Sequence, residues 1–240
     1  MQTHHYRKGW QAPSYFTSLV IVETLKSTKT NELLSLSQIA DRAKTTKEQV
    51  AEILDPLLRL EDSSVARMTA LVRFKLAYEA VRHGAIQQVA RALTWQEFEQ
   101  FSEECLQAVG FDTKKGVTAK DDSRRWQLDV IARKGSMILA IDCKHWESPG
   151  YESKLSRAAE HQKLAVQALL HQMATKGEID GEGLQALPMI LTLFQPRSRM
   201  VDGVVAVSVD QLADFLQGVS PYSSDLPFIH ALGVAKSSIR

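Results

Sequence analysis

Two short stretches near the middle of the chain decide how the sequence is interpreted: LDVIA at residues 128–132 and AIDCK at residues 140–144. Both are apolar runs interrupted by charged side chains. If they are strands, the alternation of side chains places Asp142 and Lys144 on one face. Charges on a buried strand are costly unless they are paired or bind a metal ion. If the two strands are also neighbours, Asp129 approaches Asp142 closely enough for both carboxylates to bind one divalent cation.

The segment RKGS at residues 133–136 lies between the two stretches and has the composition of a hairpin turn. A hairpin makes neighbours of the strands that it joins, so we expect Asp129 and Asp142 to meet. A simpler interpretation stays open at this point, because Asp and Lys also occur at strand ends as solvated or paired residues. The elements around the two strands favour the interpretation as a site.

A helix is predicted immediately upstream. Thr94 is suited to be its N-cap, and Glu97 stands at the third helical position, which together form a capping box. Gly110 is expected to end the helix, and Phe111 begins the next apolar run. Apolar residues recur at helical spacing between these limits: Trp95, Phe98, Phe101, Cys105, Leu106 and Val109.

A helix that ends in Gly-Phe, then a strand, a strand with Asp, a strand with Asp-x-Lys and another helix: this order resembles the PD-(D/E)XK nuclease superfamily. Within the superfamily it looks most like the Mrr-type restriction endonucleases and the archaeal Holliday-junction resolvases. The resemblance covers about residues 94–216. It implies an α/β fold of the restriction-endonuclease-like type, with a mixed central sheet flanked by helices. The implied activity is metal-dependent hydrolysis of DNA phosphodiester bonds.

The resemblance also implies a role for each charged residue. Asp129 and Asp142 would bind the metal ion together with the backbone carbonyl of Cys143, and Lys144 would orient the attacking water or the scissile phosphate. Glu99 would complete the site from the helix, although a Glu in an early helical turn is usually a solvated residue. Oxygen-only ligands suit Mg²⁺ or Mn²⁺.

Two departures from the superfamily pattern concern substrate choice more than activity. Leu128 stands where the superfamily has Pro, and the Asp-x-Lys acid is Asp142 instead of the commoner Glu. The helix after this motif, predicted over about residues 153–176, carries Gln162 on its apolar face. That side chain would either reach back to the site or be satisfied by the backbone.

Basic residues precede the first acid. Lys115, Arg124 and Arg125 are candidate nucleic-acid contacts that would guide a phosphate backbone into the site. A solvated loop explains the same residues equally well.

Residues 1–90 are predicted to form a winged-helix domain with a connecting helix, and residues 91–240 the nuclease-like domain. Apolar residues at 36–43 and 50–54 fit a helix-turn-helix. Residues 57–68 are interpreted as a β-wing. In a DNA reader, the start of the second helix contacts bases, which makes Lys47 and Gln49 candidates. The carboxylates on the same helix leave a dimerisation or packing role open.

The bulk properties exclude little. The chain of 240 residues has a net charge of +1, 44% hydrophobic residues and two cysteines, without the spacing of a zinc site. No stretch is apolar enough for a membrane span and no signal peptide is recognised, so a cytoplasmic, intracellular protein with DNA as partner is expected. A homodimer is one expected assembly. The alternative function is a non-catalytic winged-helix protein, binding nucleic acid or acting as a scaffold, that retains the nuclease fold.

Overall fold

The computed structural model describes residues 14–58, 67–121, 124–146, 151–179 and 183–231. The chain divides into two units between Leu93 and Thr94, close to the boundary expected after residue 90. Within the described ranges no helix combines the length and the apolar character needed to cross a membrane.

The described part of the first unit is helical. Its elements are α1 (Ser14–Ser27), α2 (Leu36–Ala43), α3 (Lys47–Leu58), α4 (Ala70–Arg82) and α5 (Ile86–Ala92). Helix α5 was not expected, because its segment was interpreted as a short connection between the two domains. Its seven residues are too few for a helix to be stable by itself, so its helical state depends on packing, with Val89 and Ala90 buried.

Helices α2 and α3 form the expected helix-turn-helix. The turn between them places Lys44 in the left-handed region, with φ 54°. The capping box that opens α3 is present, since Thr46 Oγ1 accepts from the N–H of Gln49 at 3.3 Å and Gln49 Oε1 accepts from the N–H of Thr46 at 3.4 Å. The side chains that pack the two helices are buried as predicted: Ile39, Ala40, Ala43, Val50, Ile53 and Leu54.

The interpretation of residues 57–68 as a wing is wrong at its beginning, because Leu57 and Leu58 form the last turn of α3. Residues 59–66 of that segment lie outside the described residues. At its end, Arg67 forms an isolated antiparallel bridge with Leu33. Two backbone hydrogen bonds flank this bridge, from the N–H of Met68 to Glu32 at 2.9 Å and from the N–H of Asn31 to Met68 at 2.6 Å.

A buried arginine holds the first unit together. Arg73 on α4 is only 3% exposed, and its guanidinium donates to the carbonyl of Leu25 at 3.0 Å, to the carbonyl of Thr28, and to the carbonyl of Ala92 at 3.2 Å. Leu25 lies near the carboxyl end of α1, where unsatisfied carbonyls and the helix dipole favour a cation. One side chain therefore joins α4 to the ends of α1 and α5.

The second unit alternates strands and helices. Its described elements are α6 (Trp95–Ala108), β1 (Asp112–Lys120), β2 (Arg125–Lys134), β3 (Met137–Lys144), α7 (Glu152–Thr175), β4 (Leu184–Thr192), β5 (Met200–Val201), β6 (Val204–Ser208), a 3-10 turn (Val209–Gln211), α8 (Leu212–Gly218) and β7 (Ile229–Ala231). The predicted capping box of α6 is confirmed, with both the Thr94 and the Glu97 side-chain bonds present.

The strands form one mixed sheet in the order β1-β2-β3-β4-β6-β5, with β7 paired to β4. Strand β2 is antiparallel to both β1 and β3, whereas β3, β4 and β6 are parallel to one another. Helix α7 provides the crossover that parallel strands need between β3 and β4. Helices flank this mixed sheet, which confirms the predicted restriction-endonuclease-like α/β class.

Helices α6 and α7 contact different side chains of β3. Ile138 and Ala140 are buried in one cluster with Val166 and Leu169 of α7. Cys143 is an odd-numbered residue of the strand, unlike Ile138 and Ala140, and its thiol interacts with Ser102 of α6. Because neighbouring side chains point to opposite faces, Asp142 and Lys144 share the face of Ile138 and Ala140. The acid and the amine therefore lie on the α7 face of β3.

The turn between β2 and β3 is the predicted hairpin. Lys134 pairs with Met137, which leaves a two-residue loop, and Gly135 at its first position has φ 60°. A type II′ turn requires a positive φ at that position, which glycine adopts without strain. The sequence RKGS therefore joins the strands in the register that pairs Val130 with Ile141.

Strand β2 is irregular around Asp129. Leu128 and Ile131 are buried in the same cluster, although the period of a regular strand would place them on opposite faces. In the register between Lys115↔Val130 and Val117↔Leu128, Gly116 faces Asp129 and has φ 60°. Gly116, with its left-handed backbone on β1, thus lies opposite the point on β2 at which the side-chain alternation changes, and that point is Asp129.

We expect Gly116→Ala to lower the free energy of unfolding by about 1–2 kcal/mol, because an L side chain is strained at this φ even though the space around it is open. Gly218→Ala is the matched control, since that glycine also has open space but no positive φ. The control is expected to leave stability unchanged or raise it. Urea denaturation of both variants measures the difference, and equal effects would contradict a role for the left-handed backbone.

Candidate active site

The two predicted acids are neighbours across the β2–β3 ladder. Asp129 and Asp142 each lie one residue beyond the register pair Val130↔Ile141. The Oδ2 atom of Asp129 accepts a hydrogen bond from the N–H of Cys143 at 2.8 Å, which ties it to the strand that carries Asp142. Asp142 is buried, with 8% of its surface exposed. The structure thus brings both carboxylates to one point of the sheet.

Lys144 is paired with Asp142. Its Nζ lies 2.8 Å from Oδ1 and 2.8 Å from Oδ2 of that carboxylate, so the ammonium bridges both oxygens. The Lys144 side chain is 31% exposed, whereas that of Asp142 is 12% exposed. The carboxylate is therefore the more buried partner of the pair and the lysine the more exposed one.

Burial raises the pKa of the Asp129 carboxyl to about 6. The N–H of Cys143 opposes this shift, because it stabilises the charged form, whereas the negative charge of Asp142 and a hydrogen bond between the two carboxyl groups reinforce it. Lys144 offsets part of the repulsion. When both neighbouring carboxyl groups are ionised, they carry two negative charges, and the single ammonium of Lys144 neutralises only one of them.

Glu99 belongs to the same electrostatic cluster. It is half-buried on α6, and burial raises the pKa of its carboxyl. The charges of Asp129 and Asp142 raise that pKa further, while Lys115 and Lys144 lower it. The helix predicted to complete the site therefore carries its glutamate within electrostatic reach of the strand residues.

The backbone of Cys143 faces Asp129 through its N–H, and ligation by its carbonyl stays a prediction. Burial raises the pKa of its thiol well above the usual range, with the Asp129 charge adding to the shift. The thiol is thus held neutral.

The predicted nucleic-acid contacts of the second unit are exposed, with Lys115 in the middle of β1 and Arg124 and Arg125 around the start of β2, but two of them are already engaged. Lys115 forms an ion pair with Glu103 of α6 at 3.2 Å. The guanidinium of Arg124 lies 3.5 Å from the centre of the Trp126 ring. Arg125 is exposed at the start of β2. In the first unit, Lys47 is exposed at the start of α3, and the Oε1 of Gln49 serves the capping box.

Sequence reasoning left His161 out of the site. This residue of α7 packs against Trp126, with ring centres 5.1 Å apart. Burial lowers the pKa of the imidazole, and the charges of Arg124 and Lys144 lower it further, against the opposing effect of Asp129. The sequence signal that could have identified His161 is its position next to Gln162, which lies on the apolar face of the predicted helix.

The structure identifies the hydrogen-bond partner of the Gln162 side chain, for which the sequence allows either the site or the backbone. Its Nε2 donates to the carbonyl of Ala140 at 2.6 Å, two residues before Asp142 on β3. Among the residues that the structure describes, its buried Oε1 has no hydrogen-bond partner. The backbone alternative is therefore correct for the amide nitrogen.

Within the described part of the chain, no three His, Cys, Asp or Glu side chains converge into a ready-made metal cage. The donor set nevertheless fits a hard cation. Mg²⁺ typically uses one or two protein carboxylates and completes its shell with water and substrate phosphate. Asp129 and Asp142 are two such carboxylates, and their mutual repulsion is what a cation would relieve.

Comparison with known proteins agrees with this geometry. Residues 90–181 match the family model Mrr_cat, described as a restriction endonuclease. The match thus likens this segment to a restriction-endonuclease domain of the Mrr type. The match spans Glu99, Asp129, Asp142 and Lys144, and it confirms the resemblance to the PD-(D/E)XK superfamily that the order of elements predicts.

Individual relatives are distant. An uncharacterized protein of Archaeoglobus fulgidus is 27% identical over 138 residues, which is 57% of this chain and 100% of that protein. The solved structure of AF1548, a protein of unknown function, is 21% identical with a TM-score of 0.29 and overlaps 39% of this chain and 44% of its own. Protein VC1899 from Vibrio cholerae is 14% identical with a TM-score of 0.39, over 87% of this chain and 56% of its own. The chain thus spans about half the length of these two structures.

The raised pKa of Asp129 predicts a pH dependence of stability in EDTA. The folded carboxyl binds its proton more tightly than the unfolded one, since its pKa of about 6 exceeds the usual aspartate pKa of 3.8. Stability from this group is therefore fully present below about pH 3.8 and is lost as the pH rises through 6. Asp129→Asn keeps an acceptor for the Cys143 N–H and removes the charge.

We expect Asp129→Asn to be more stable than the parent at pH 7.5 by on the order of 2 kcal/mol, and equal to it near pH 3.5. Urea denaturation at the two pH values measures this, with Asp112→Asn, at an exposed position of β1, as the control. A variant that is less stable than the parent at pH 7.5 would show that the Asp129 charge stabilises the fold.

Proposed function

We propose that this protein is a divalent-metal-dependent endonuclease that hydrolyses phosphodiester bonds of DNA. The observation that carries the proposal is the pair of adjacent carboxylates, Asp129 and Asp142, with Lys144 on the second, inside a segment that matches a restriction-endonuclease family. Buried acids that serve only the stability of a fold are each paired with a cation. Here two acids share one lysine, and the burial of Asp129 raises its pKa, which costs stability at neutral pH.

Asp129 and Asp142 would hold Mg²⁺ or Mn²⁺, with the Cys143 carbonyl as a third protein ligand. When bound, such an ion lowers the pKa of a bound water and stabilises negative charge on the phosphate. The protein's own contribution is to fix the two carboxylates. The Cys143 N–H orients Asp129 at 2.8 Å, and the Lys144 ammonium orients Asp142 at 2.8 Å. Both acids are therefore preorganised.

Lys144 would bind the scissile phosphate or the attacking water. Its ammonium is fixed by Asp142 and is the more exposed partner of the pair, so the donors that the carboxylate does not use would be available to substrate. A fixed cation of this kind stabilises charge that develops in the transition state without reorganisation. Glu99 would act beside the strand acids, as a further ligand or through a water molecule.

The basic residues on β1 and around the start of β2 would bind the DNA backbone. Arg124 is fixed over Trp126 and Arg125 is exposed at the start of β2, the strand that carries Asp129, so both present guanidinium groups on the approach to the site. Lys115 would contact phosphate only in competition with Glu103, its present partner. Cutting both strands of a duplex needs two sites, for which a homodimer is the simplest assembly.

The first unit would act as a winged helix that binds duplex DNA. The helix-turn-helix of α2 and α3 and the antiparallel bridge Leu33↔Arg67 support this proposal. The start of α3 would contact DNA through Lys47 and through the amide nitrogen of Gln49. The carbonyl oxygen of Gln49 is used in the capping box, which limits this side chain to donating.

For the active site, we expect Asp142→Ala to lower the cleavage rate at least about 100-fold, because the remaining acid cannot hold the cation alone. The measurement is cleavage of a labelled panel with Mg²⁺, Mn²⁺ or EDTA: linear duplex, single strand, fork, flap, four-way junction and RNA. Asp112→Ala, at an exposed acid of the same unit, is the control. Unchanged cleavage by Asp142→Ala would refute the site, and binding without cutting by the parent would favour the non-catalytic alternative.

For the first unit, we expect Lys47→Glu to weaken duplex binding and to reduce the salt dependence of log K by about one phosphate contact. Lys75→Glu, at an exposed position of α4, makes the same charge change elsewhere in the unit. Binding is measured in EDTA over a range of salt concentrations. Equal effects of the two variants would indicate that only net charge matters and that α3 does not contact DNA.

A further inference from the structure

We propose that a basic cavity beside the carboxyl-terminal half of α7 binds a second phosphate group of the DNA substrate, about 15 Å from the catalytic strand. This inference rests on the proposed function and specifies where the substrate must extend. The cavity has a volume of about 710 Å³ and lies between the hairpin end of β1 and β2 and the end of α7. None of the acids of the candidate active site lines it.

The lining of the cavity has the chemistry of a phosphate site. Three permanent cations contribute to it, Lys120, Arg125 and Lys176, against one carboxylate, that of Asp121. The carboxylate is engaged elsewhere, because its oxygens accept from the Trp126 indole N–H and, at 2.9 Å, from the N–H of Arg124. Thr118 and Thr175 add hydroxyl groups. Cations with neutral donors between them favour an anion over a metal ion or an apolar ligand.

One of the three cations, Lys176, is also paired with a carboxylate, and the strength of that pair decides how readily Lys176 can bind a phosphate. Lys176 lies 4.0 Å from Glu178, and both side chains are about half exposed, at 55% and 50%. An exposed pair at this separation contributes little energy. Lys176 can therefore turn to a phosphate at small cost, while its position at the end of α7 keeps it beside the cavity.

Helix α7 contacts both the catalytic strand and the cavity, so its length gives the distance between them. Gln162 binds the Ala140 carbonyl on the catalytic strand at 2.6 Å, and Gln172 accepts from the N–H of Lys120 at the cavity at 3.0 Å. These glutamines lie ten residues apart on one helix, which corresponds to about 15 Å. Along B-form DNA this is about four to five base pairs, at about 3.4 Å per base pair.

Positive charge continues between the two ends of this path. The Lys144 ammonium stands at the catalytic strand, and the Arg124 guanidinium is fixed over Trp126. The charges of both act on His161 of α7, so both lie within electrostatic range of that helix. Arg125 follows Arg124 in the chain and lines the cavity. A backbone that leaves the catalytic strand therefore meets cations along the way to the cavity.

The test uses the full chain and the double variant Lys120→Gln/Lys176→Gln, with Lys163→Gln on the exposed side of α7 as the control. Duplexes are made that end two to ten base pairs beyond the cut on each side. The parent is expected to bind duplexes longer than about five base pairs on one side about 10-fold more tightly than shorter ones. The double variant should lose this gain, with a salt slope smaller by about 2, and bind and cut short duplexes like the parent.

Several results would overturn the inference. One is a loss of affinity by the double variant that is equal for all lengths, and another is the same length dependence in the double variant and the Lys163→Gln control. A third is tight binding of pyrophosphate that the double variant loses while DNA binding is unchanged, which would make the cavity a site for small anions. Because binding in EDTA is also measured against total duplex length, which needs no cut position, a parent that cuts nothing would refute the proposed activity and still leave the cavity tested.

Discussion

The antiparallel register of β2 with β3 is the constraint on which the candidate site depends. It sets Asp129 beside Asp142 and lets the Cys143 N–H bind the first acid. A shift by one residue would turn one acid to the opposite face of the sheet. The two-residue loop at Gly135 excludes such a shift, because its positive φ fits only a tight turn of fixed length. A short stretch of backbone geometry thus determines which charges can act together.

The site opposes the stability of the fold that holds it. Burial makes the charged form of Asp129 unfavourable, and the neighbouring carboxylate adds repulsion, while Lys144 neutralises only part of the charge. A protein selected for stability alone would place apolar side chains at these positions. Conflicts of this kind are expected where binding or catalysis sets the requirement. In this molecule the conflict coincides with the segment that matches a restriction-endonuclease family.

Local signals made much of this predictable from the sequence. The capping box of Thr94 and Glu97, the hairpin at Gly135 and the meeting of Asp129 with Asp142 all follow from spacing within a few residues. The contacts of α7 could not be predicted, because the partners of His161 and Gln162 depend on how that helix crosses the sheet. Short elements escaped for a related reason: α5, β5 and β7 are too brief to show periodicity and exist through packing.

The Arg73 contacts couple the dynamics of the helices in the first unit. The guanidinium is shared by the end of α1 with the segment after it and by the end of α5, which lies more than 60 residues further along the chain. If α5 frayed, a buried cation would lose an acceptor without gaining full access to water, which is costly. Fluctuations of these helices should therefore be concerted, with slow amide exchange extending to α5 despite its seven residues.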